Sequence, residues 1–148
     1  MPLSRLEHFL VLTDDIEATR DFYAQALGIR EGPRPPLQFP GYWLYLGETP
    51  CIHIAEWVSY RAHSERAGIP VSARAPGTGP VDHLAFNATD CEAVKAALRA
   101  RGVAFTENPV PGAGLTQLFL SDPNGVKIEI NVRVGGSIDA TTRRSPEG

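Results

Sequence analysis

The hydrophobic positions at the start of the chain predict a strand followed by an amphipathic helix. Residues 5–13 (RLEHFLVLT) are rich in β-forming side chains, and Asp14 or Asp15 then offers an oxygen to cap a helix over residues 16–27. Apolar residues in that helix recur at three- and four-residue intervals, which is typical of a helix with one face packed on a sheet. Gly28 is expected to end it.

Two more β-rich segments follow a proline-rich loop at residues 31–40. Residues 41–47 (GYWLYLG) and 51–55 (CIHIA) predict a hairpin. Residues 57–79 have no periodicity that favours a helix or a strand, so they predict no regular element.

The same order of elements begins again at residue 81. We expect a strand over 81–88, a helix over 91–101, a short strand over 103–106, and a hairpin of residues 115–120 and 126–132 around the turn DPNG. Aligning His8 with His83 also aligns Asp15 with Asp90. The chain therefore contains an internal repeat of strand, helix and three strands, which predicts an α+β fold of two modules, module one over 4–57 and module two over 80–133.

Ionisable side chains occupy equivalent strands of the two copies. His8 and His83 lie in the first strand of each repeat, and His53 and Glu129 lie in the last. Because side chains alternate across a strand, these four residues point away from the apolar face of their sheets. They define a candidate ligand surface, whose neighbours on the same side are Trp43, Tyr45, Asn87 and Gln117.

The chemistry of these four side chains points to a metal. Imidazole and carboxylate are ligands for zinc, iron, nickel, cobalt and manganese, and two histidines with one carboxylate form the non-haem Fe(II) pattern. A divalent cation would also compensate for the charge of Glu129 in a partly desolvated pocket.

Composition narrows the class of ligand. The 148 residues are 43% hydrophobic and 21% charged, as in an ordinary compact domain, which we place at residues 1–134. A net charge of −3 argues against nucleic-acid binding and favours a small-molecule partner.

Cys51 and Cys91 form no disulfide framework, so we expect a reducing cytoplasm. We expect no secretory signal or membrane span, and a disordered tail from Gly135.

Three segments resemble one known family. EHFLVLTDDIEATRDFYAQALG, VDHLAF and QLFLSDPNGVKIEI are similar to sequences of the vicinal oxygen chelate superfamily, which includes glyoxalase I, extradiol dioxygenases, fosfomycin-modifying enzymes and bleomycin-binding proteins. The resemblance covers about residues 5–132. It implies two βαβββ modules that form a curved mixed sheet around a divalent metal, with His8, His53, His83 and Glu129 as the metal ligands. It also implies a homodimer.

His53 departs from one branch of that family. Glyoxalase I enzymes usually carry glutamate at its position, and dioxygenases commonly use the positions of His8, His83 and Glu129. His53 is therefore interpreted as either a fourth ligand or a catalytic acid/base beside the metal.

Several functions follow from this resemblance. The first choice is an Fe(II) dioxygenase acting on a catechol-like vicinal diol, because the set is rich in histidine. The alternatives are a glyoxalase-I-like lyase or isomerase using zinc, nickel or cobalt, a thiol transferase acting on an antibiotic, and a metal-free bleomycin-type drug-binding protein. We assign His63, in the segment 57–79, to the solvent-exposed surface.

Overall fold

The structure is a computed structural model that describes residues 4–133, so the tail predicted to be disordered lies outside the described residues. Its elements in chain order are β1 (Phe9–Thr13), α1 (Ile16–Leu27), β2 (Arg30–Gly32), β3 (Gly41–Leu46), β4 (Thr49–Glu56), α2 (Trp57–Ala67), β5 (Leu84–Ala88), α3 (Cys91–Ala100), β6 (Thr106–Val110), β7 (Leu115–Ser121) and β8 (Lys127–Arg133).

The strands form two sheets of identical topology. The first has the order β1-β4-β3-β2 and the second β5-β8-β7-β6. In each sheet the first strand runs parallel to the last, and the remaining pairs are antiparallel. The predicted α+β fold of two βαβββ modules is confirmed.

Helix bounds follow from the local sequence. Asp15 and Asp90 accept hydrogen bonds from the amides of Ala18 (2.9 Å) and Ala93 (3.0 Å), which satisfies donors left free at the helix starts. Gly28 ends α1 in the left-handed conformation at φ 71°. These caps explain why α1 has the bounds that the sequence predicts.

Each sheet buries one face. Ile52 and Ile54 in β4, and Ile128 and Ile130 in β8, are at most 4% exposed and pack into one core cluster with residues of α1 and α3. The residues between them in sequence point to the opposite face, as the alternation predicts.

The two modules contact each other through α1, α3 and the turn before β8. Tyr23 in α1 donates a hydrogen bond to Asp122 (2.8 Å), and Asn124 donates one to Thr19 (3.0 Å). Among residues 4–133, β1 and β5 are unpaired on their outer edges. The single curved sheet expected from the resemblance is therefore not formed within one chain, because helices and a turn, not strand edges, join the modules.

Other elements also differ from the sequence prediction. The helix α2 forms in the segment without periodicity and has a single buried residue, Ser64, which explains the weak signal. A short strand, β2, follows α1 directly. The strand expected at residues 103–106 begins at Thr106 and runs to Val110, and Val103 and Phe105 before it pack against the core. None of the helices in residues 4–133 is long and apolar enough to cross a membrane.

Candidate metal centre

His83 and Glu129 form a pair on the open face of the second sheet. His83 Nε2 lies 2.8 Å from Glu129 Oε2, and Gln117 Nε2 donates a 2.9 Å hydrogen bond to Glu129 Oε1. Glu129 is only 7% exposed, so its charge is withdrawn from water. A carboxylate in this position needs the partners it has, because burial of an unpaired ion is costly.

His8 and His53 form the corresponding pair on the first sheet. Their rings stack at 3.7 Å between centroids, and the Trp43 ring stacks on the other side of His53 at 4.1 Å. His53 Nε2 is buried and has no hydrogen-bond partner among the described residues. Burial, with a smaller contribution from His8, lowers the pKa of His53 to about 4. Its ring is therefore neutral near pH 7, with a lone pair available on one nitrogen.

An acidic residue precedes His8 and His83 and binds the same atom in each. Glu7 Oε1 lies 3.0 Å from His8 Nδ1, and Asp82 Oδ2 lies 2.7 Å from His83 Nδ1. A carboxylate at Nδ1 favours the tautomer with its proton there, which leaves Nε2 as the lone-pair atom. Lys127 Nζ is 2.6 Å from Asp82, and the hydrogen bonds from His83 and Lys127 lower the pKa of Asp82.

With this tautomer, the contact between His83 and Glu129 brings two hydrogen-bond acceptors together. Nε2 of a neutral His83 and the Glu129 carboxylate are both hydrogen-bond acceptors, yet they lie 2.8 Å apart. A shared proton or a cation must therefore relieve their repulsion. The contact fits a place where a cation binds.

The four predicted ligands form two pairs rather than one cluster. The described part of the chain holds no group of three or more His, Cys, Asp or Glu side chains close enough to bind one metal ion. The expectation that all four converge within a single chain is not met, because the modules associate through their helices and each sheet keeps its own pair.

The predicted pocket neighbours have different surroundings. Trp43 and Gln117 contact His53 and Glu129 as described above. Asn87 lies on the same face as Gln117 and donates to the Asn131 carbonyl at 3.1 Å. The Tyr45 hydroxyl donates to the Pro33 carbonyl at 2.6 Å, so it supports the proline-rich loop.

The sequence matches one protein family over nearly the whole described part of the chain. Residues 5–130 match the Glyoxalase/Bleomycin resistance protein/Dioxygenase superfamily. The chain belongs to this superfamily. It is 30% identical over 132 residues to a protein of Arabidopsis thaliana named Glyoxylase I 4, covering 86% of this chain and 70% of that protein.

Solved structures agree with the superfamily fold. A lactoylglutathione lyase from Agrobacterium tumefaciens is 20% identical with a TM-score of 0.66, covering 89% of this chain and 96% of that one. A genomically encoded fosfomycin resistance protein from Listeria monocytogenes is 16% identical with a TM-score of 0.64, covering 92% and 96%. At these identities the likeness concerns the fold alone.

The side chains of the two pairs are of the kinds that bind a divalent metal, although the described part of the chain does not bring three of them together. The Nε2 atom of His53 has no partner, and His83 and Glu129 meet at a distance that a shared proton or a cation satisfies. Three imidazoles and one carboxylate are donors that iron, zinc, nickel and cobalt accept.

Sequence reasoning gave no role to three residues that the structure draws attention to. Glu7 and Asp82 precede His8 and His83 at aligned positions, and this repetition was a usable signal. Arg34, in the proline-rich loop, had no signal in the sequence. His63, expected to be exposed, is half-buried and its ring lies 4.9 Å from that of Phe39.

Proposed function

We propose that this chain is a metal-dependent enzyme acting on a small molecule with two adjacent oxygen atoms. The observation that supports this best is the duplicated carboxylate–histidine contact, Glu7 with His8 and Asp82 with His83, each beside a further donor. His8, His83 and Glu129 would hold the ion, with His53 as a fourth ligand or as the acid/base. A bound divalent ion supplies Lewis-acid polarisation of the substrate oxygens.

An Fe(II) dioxygenase acting on a catechol-like diol is our first choice of reaction. Two histidines and one carboxylate that leave coordination positions open are the ligand set of non-haem Fe(II) oxygenases. In this scheme His53 takes the proton of a substrate hydroxyl, since its ring is neutral near pH 7 and stacks on His8.

A glyoxalase-like lyase or isomerase is the second candidate, supported by the Arabidopsis relative. There the ion would be zinc, nickel or cobalt. His53, at the position where glyoxalase I enzymes usually carry glutamate, would move a proton to or from the carbon beside a carbonyl group. The same residues thus serve either reaction, and the metal and substrate distinguish them.

A second copy of the chain would complete the site in this proposal. Each chain offers one pair of donors per sheet, with unpaired outer edges on β1 and β5. Leu6 and Leu10, before and within β1, are 76% and 38% exposed. A homodimer in which module one of one copy lies against module two of the other would cover such edges and join the two pairs.

Metal content and substrate turnover test the proposal. The protein is purified without chelator, its metals are measured by plasma emission, and it is reconstituted with Fe(II), zinc, nickel or cobalt. Oxygen uptake with a panel of catechols under Fe(II) indicates the dioxygenase, whereas isomerisation of hemithioacetals with zinc, nickel or cobalt indicates the lyase. Failure to bind any metal after reconstitution would refute the proposal and favour a metal-free drug-binding protein.

A further inference from the structure

Arg34 lies beside Gly41 in β3, two positions along the strand from Trp43, which stacks on His53. Gly41 pairs with Ala55 in β4, as Trp43 pairs with His53. A Cβ atom at Gly41 would lie 3.2 Å from Arg34 Nη2 and would collide with the backbone carbonyl of Ile54. The small residues at this end of the sheet therefore leave room for the guanidinium group.

Aromatic contacts fix the position of this guanidinium. Arg34 Nη2 donates a 2.7 Å hydrogen bond to the Phe39 carbonyl, and its central carbon lies 5.2 Å from the centre of the Phe39 ring. Phe39 in turn packs edge-on against Tyr60 of α2 (5.1 Å) and tilted against His63 (4.9 Å). The helix α2 and the proline-rich loop thus hold Arg34 in one place.

The charge of Arg34 has no counter-ion in the described part of the chain. No carboxylate oxygen lies within ion-pair distance of its guanidinium among residues 4–133, and its Nε is buried without a hydrogen-bond partner. Its positive charge also acts at His53, where it helps to lower the pKa of the imidazole. A half-buried cation with a free donor is unfavourable unless a partner binds it.

We propose that Arg34 binds an anionic oxygen of the substrate, so that the substrate is a carboxylic acid as well as a vicinal oxygen compound. Its Nη1 group and the Nη2 N–H that is not used by the Phe39 carbonyl offer the two donors that a carboxylate accepts. The Trp43 ring, which stacks on His53, lies two positions along β3 from Gly41, and Gly41 is the residue next to the guanidinium. This inference rests on the proposed function, and it adds the substrate class.

Matched ligands that differ only in the carboxylate test the proposal. Binding of 3,4-dihydroxybenzoate and 3,4-dihydroxybenzyl alcohol, and of 2,3-dihydroxypropanoate and glycerol, is measured by calorimetry on the full-length, zinc-loaded protein. We expect the wild type to bind the acid of at least one pair about tenfold or more tightly than its neutral partner, as for a charge-assisted contact. Arg34→Gln should remove this preference without changing the affinity for the neutral partner, and Arg34→Lys should keep part of it.

The control is Arg61→Gln, because Arg61 lies on the outer side of α2 with its side chain 65% exposed and paired with Glu65. It should bind every ligand as the wild type does. Failure of the wild type to prefer, or to bind, either acid would overturn the proposal. A uniform loss of affinity for both members of a pair in Arg34→Gln would also overturn it, showing that Arg34 only supports the loop.

The two proposals fail in different ways. Zinc content is measured before the ligands are added. A chain that takes up no metal refutes the proposed enzyme, whatever its preference among ligands. A chain that binds zinc stoichiometrically but treats acid and neutral ligands alike keeps the proposed function and loses the carboxylate.

Discussion

Tyr23 and Asp122 are 99 residues apart in sequence, and the Tyr23 hydroxyl donates a 2.8 Å hydrogen bond to the Asp122 carboxylate. The contact joins α1 of module one to the turn before β8 of module two. Burial, followed by the charge of Asp122, raises the pKa of Tyr23, so the phenol keeps its proton and acts as a donor. Asp122 also accepts bonds from the amides of Asn124 (2.7 Å) and Val126 (2.8 Å). One carboxylate therefore orders a turn and binds the modules together.

Tyr23→Phe should destabilise the protein. The substitution removes the hydroxyl that binds a buried carboxylate and leaves part of its hydrogen-bonding capacity unused, which costs about 1–3 kcal/mol. Urea unfolding followed by circular dichroism measures the change in free energy of unfolding. Tyr42→Phe is the matched control, since its hydroxyl donates to the exposed Glu17 and its loss should cost less. Equal losses in the two variants would contradict a special role for Tyr23.

Two substitutions should empty the metal centre while the fold survives. Glu129→Gln and His83→Ala each remove one proposed ligand, and most of the bound metal should be lost because a metal site depends on the number of its ligands. Plasma emission gives metal per chain, and circular dichroism checks the fold. His63→Ala should keep both metal and fold. Full metal occupancy in His83→Ala would remove the basis of the site assignment.

The carboxylates at the Nδ1 atoms should tune metal affinity. Asp82→Asn weakens the acceptor that orients His83, and removal of such an outer partner typically lowers metal affinity about 10–100-fold. Competition with a chromophoric chelator measures the dissociation constant. Lys127→Gln is the control, because it removes the other partner of Asp82 and leaves the contact with His83 in place. If the two variants weaken metal binding equally, Asp82 does not act by orienting His83, and its effect comes from the net charge near the site.

Mixed dimers should recover metal binding if two copies share the site. His8→Ala destroys the pair in module one and Glu129→Gln destroys the pair in module two, so each variant alone should bind little metal. After the two are refolded together, half of the dimers are mixed and one of their two sites is intact, so about a quarter of the sites should bind metal. Metal content of the unseparated mixture gives this fraction, and mixed dimers isolated through two different tags should bind metal at half of their sites. No recovery in mixed dimers shown to form would contradict a site built from both copies.

Local features of the chain were predictable because local chemistry determines them. The bounds of α1 follow from the cap at Asp15 and the left-handed Gly28. The repeat correctly indicated that His53 and Glu129 lie opposite the buried positions of their strands. Both predictions depend only on neighbours in sequence and on the alternation of a strand.

Long-range features were not predictable from the same reasoning. Asp122 could be interpreted as a turn residue, and its bond to Tyr23 depends on how the modules dock. The helix α2 buries one side chain fully, Ser64, and so has no apolar stripe. Arg34 is positioned by a carbonyl group in an irregular loop, and no periodicity in the sequence reports such a contact.

His53 should make the stability of the metal-free protein depend on pH. The pKa of its ring falls from the ordinary 6.5 to about 4 on folding, chiefly because the ring is buried. Between these values the unfolded chain binds a proton that the folded chain does not. The free energy of unfolding contributed by His53 is therefore fully present above about pH 6.5 and falls as the pH drops towards 4.

Urea unfolding in the presence of chelator at several pH values measures this dependence, and His53→Gln should reduce the slope between pH 6.5 and 4. The comparison is made as a difference between wild type and variant, so carboxylates that titrate in the same range cancel. If the slope is unchanged in His53→Gln, the ring is hydrated in the metal-free protein. Its Nε2 atom, which has no partner among the described residues, would then be hydrogen-bonded to water and would not need a metal to satisfy it.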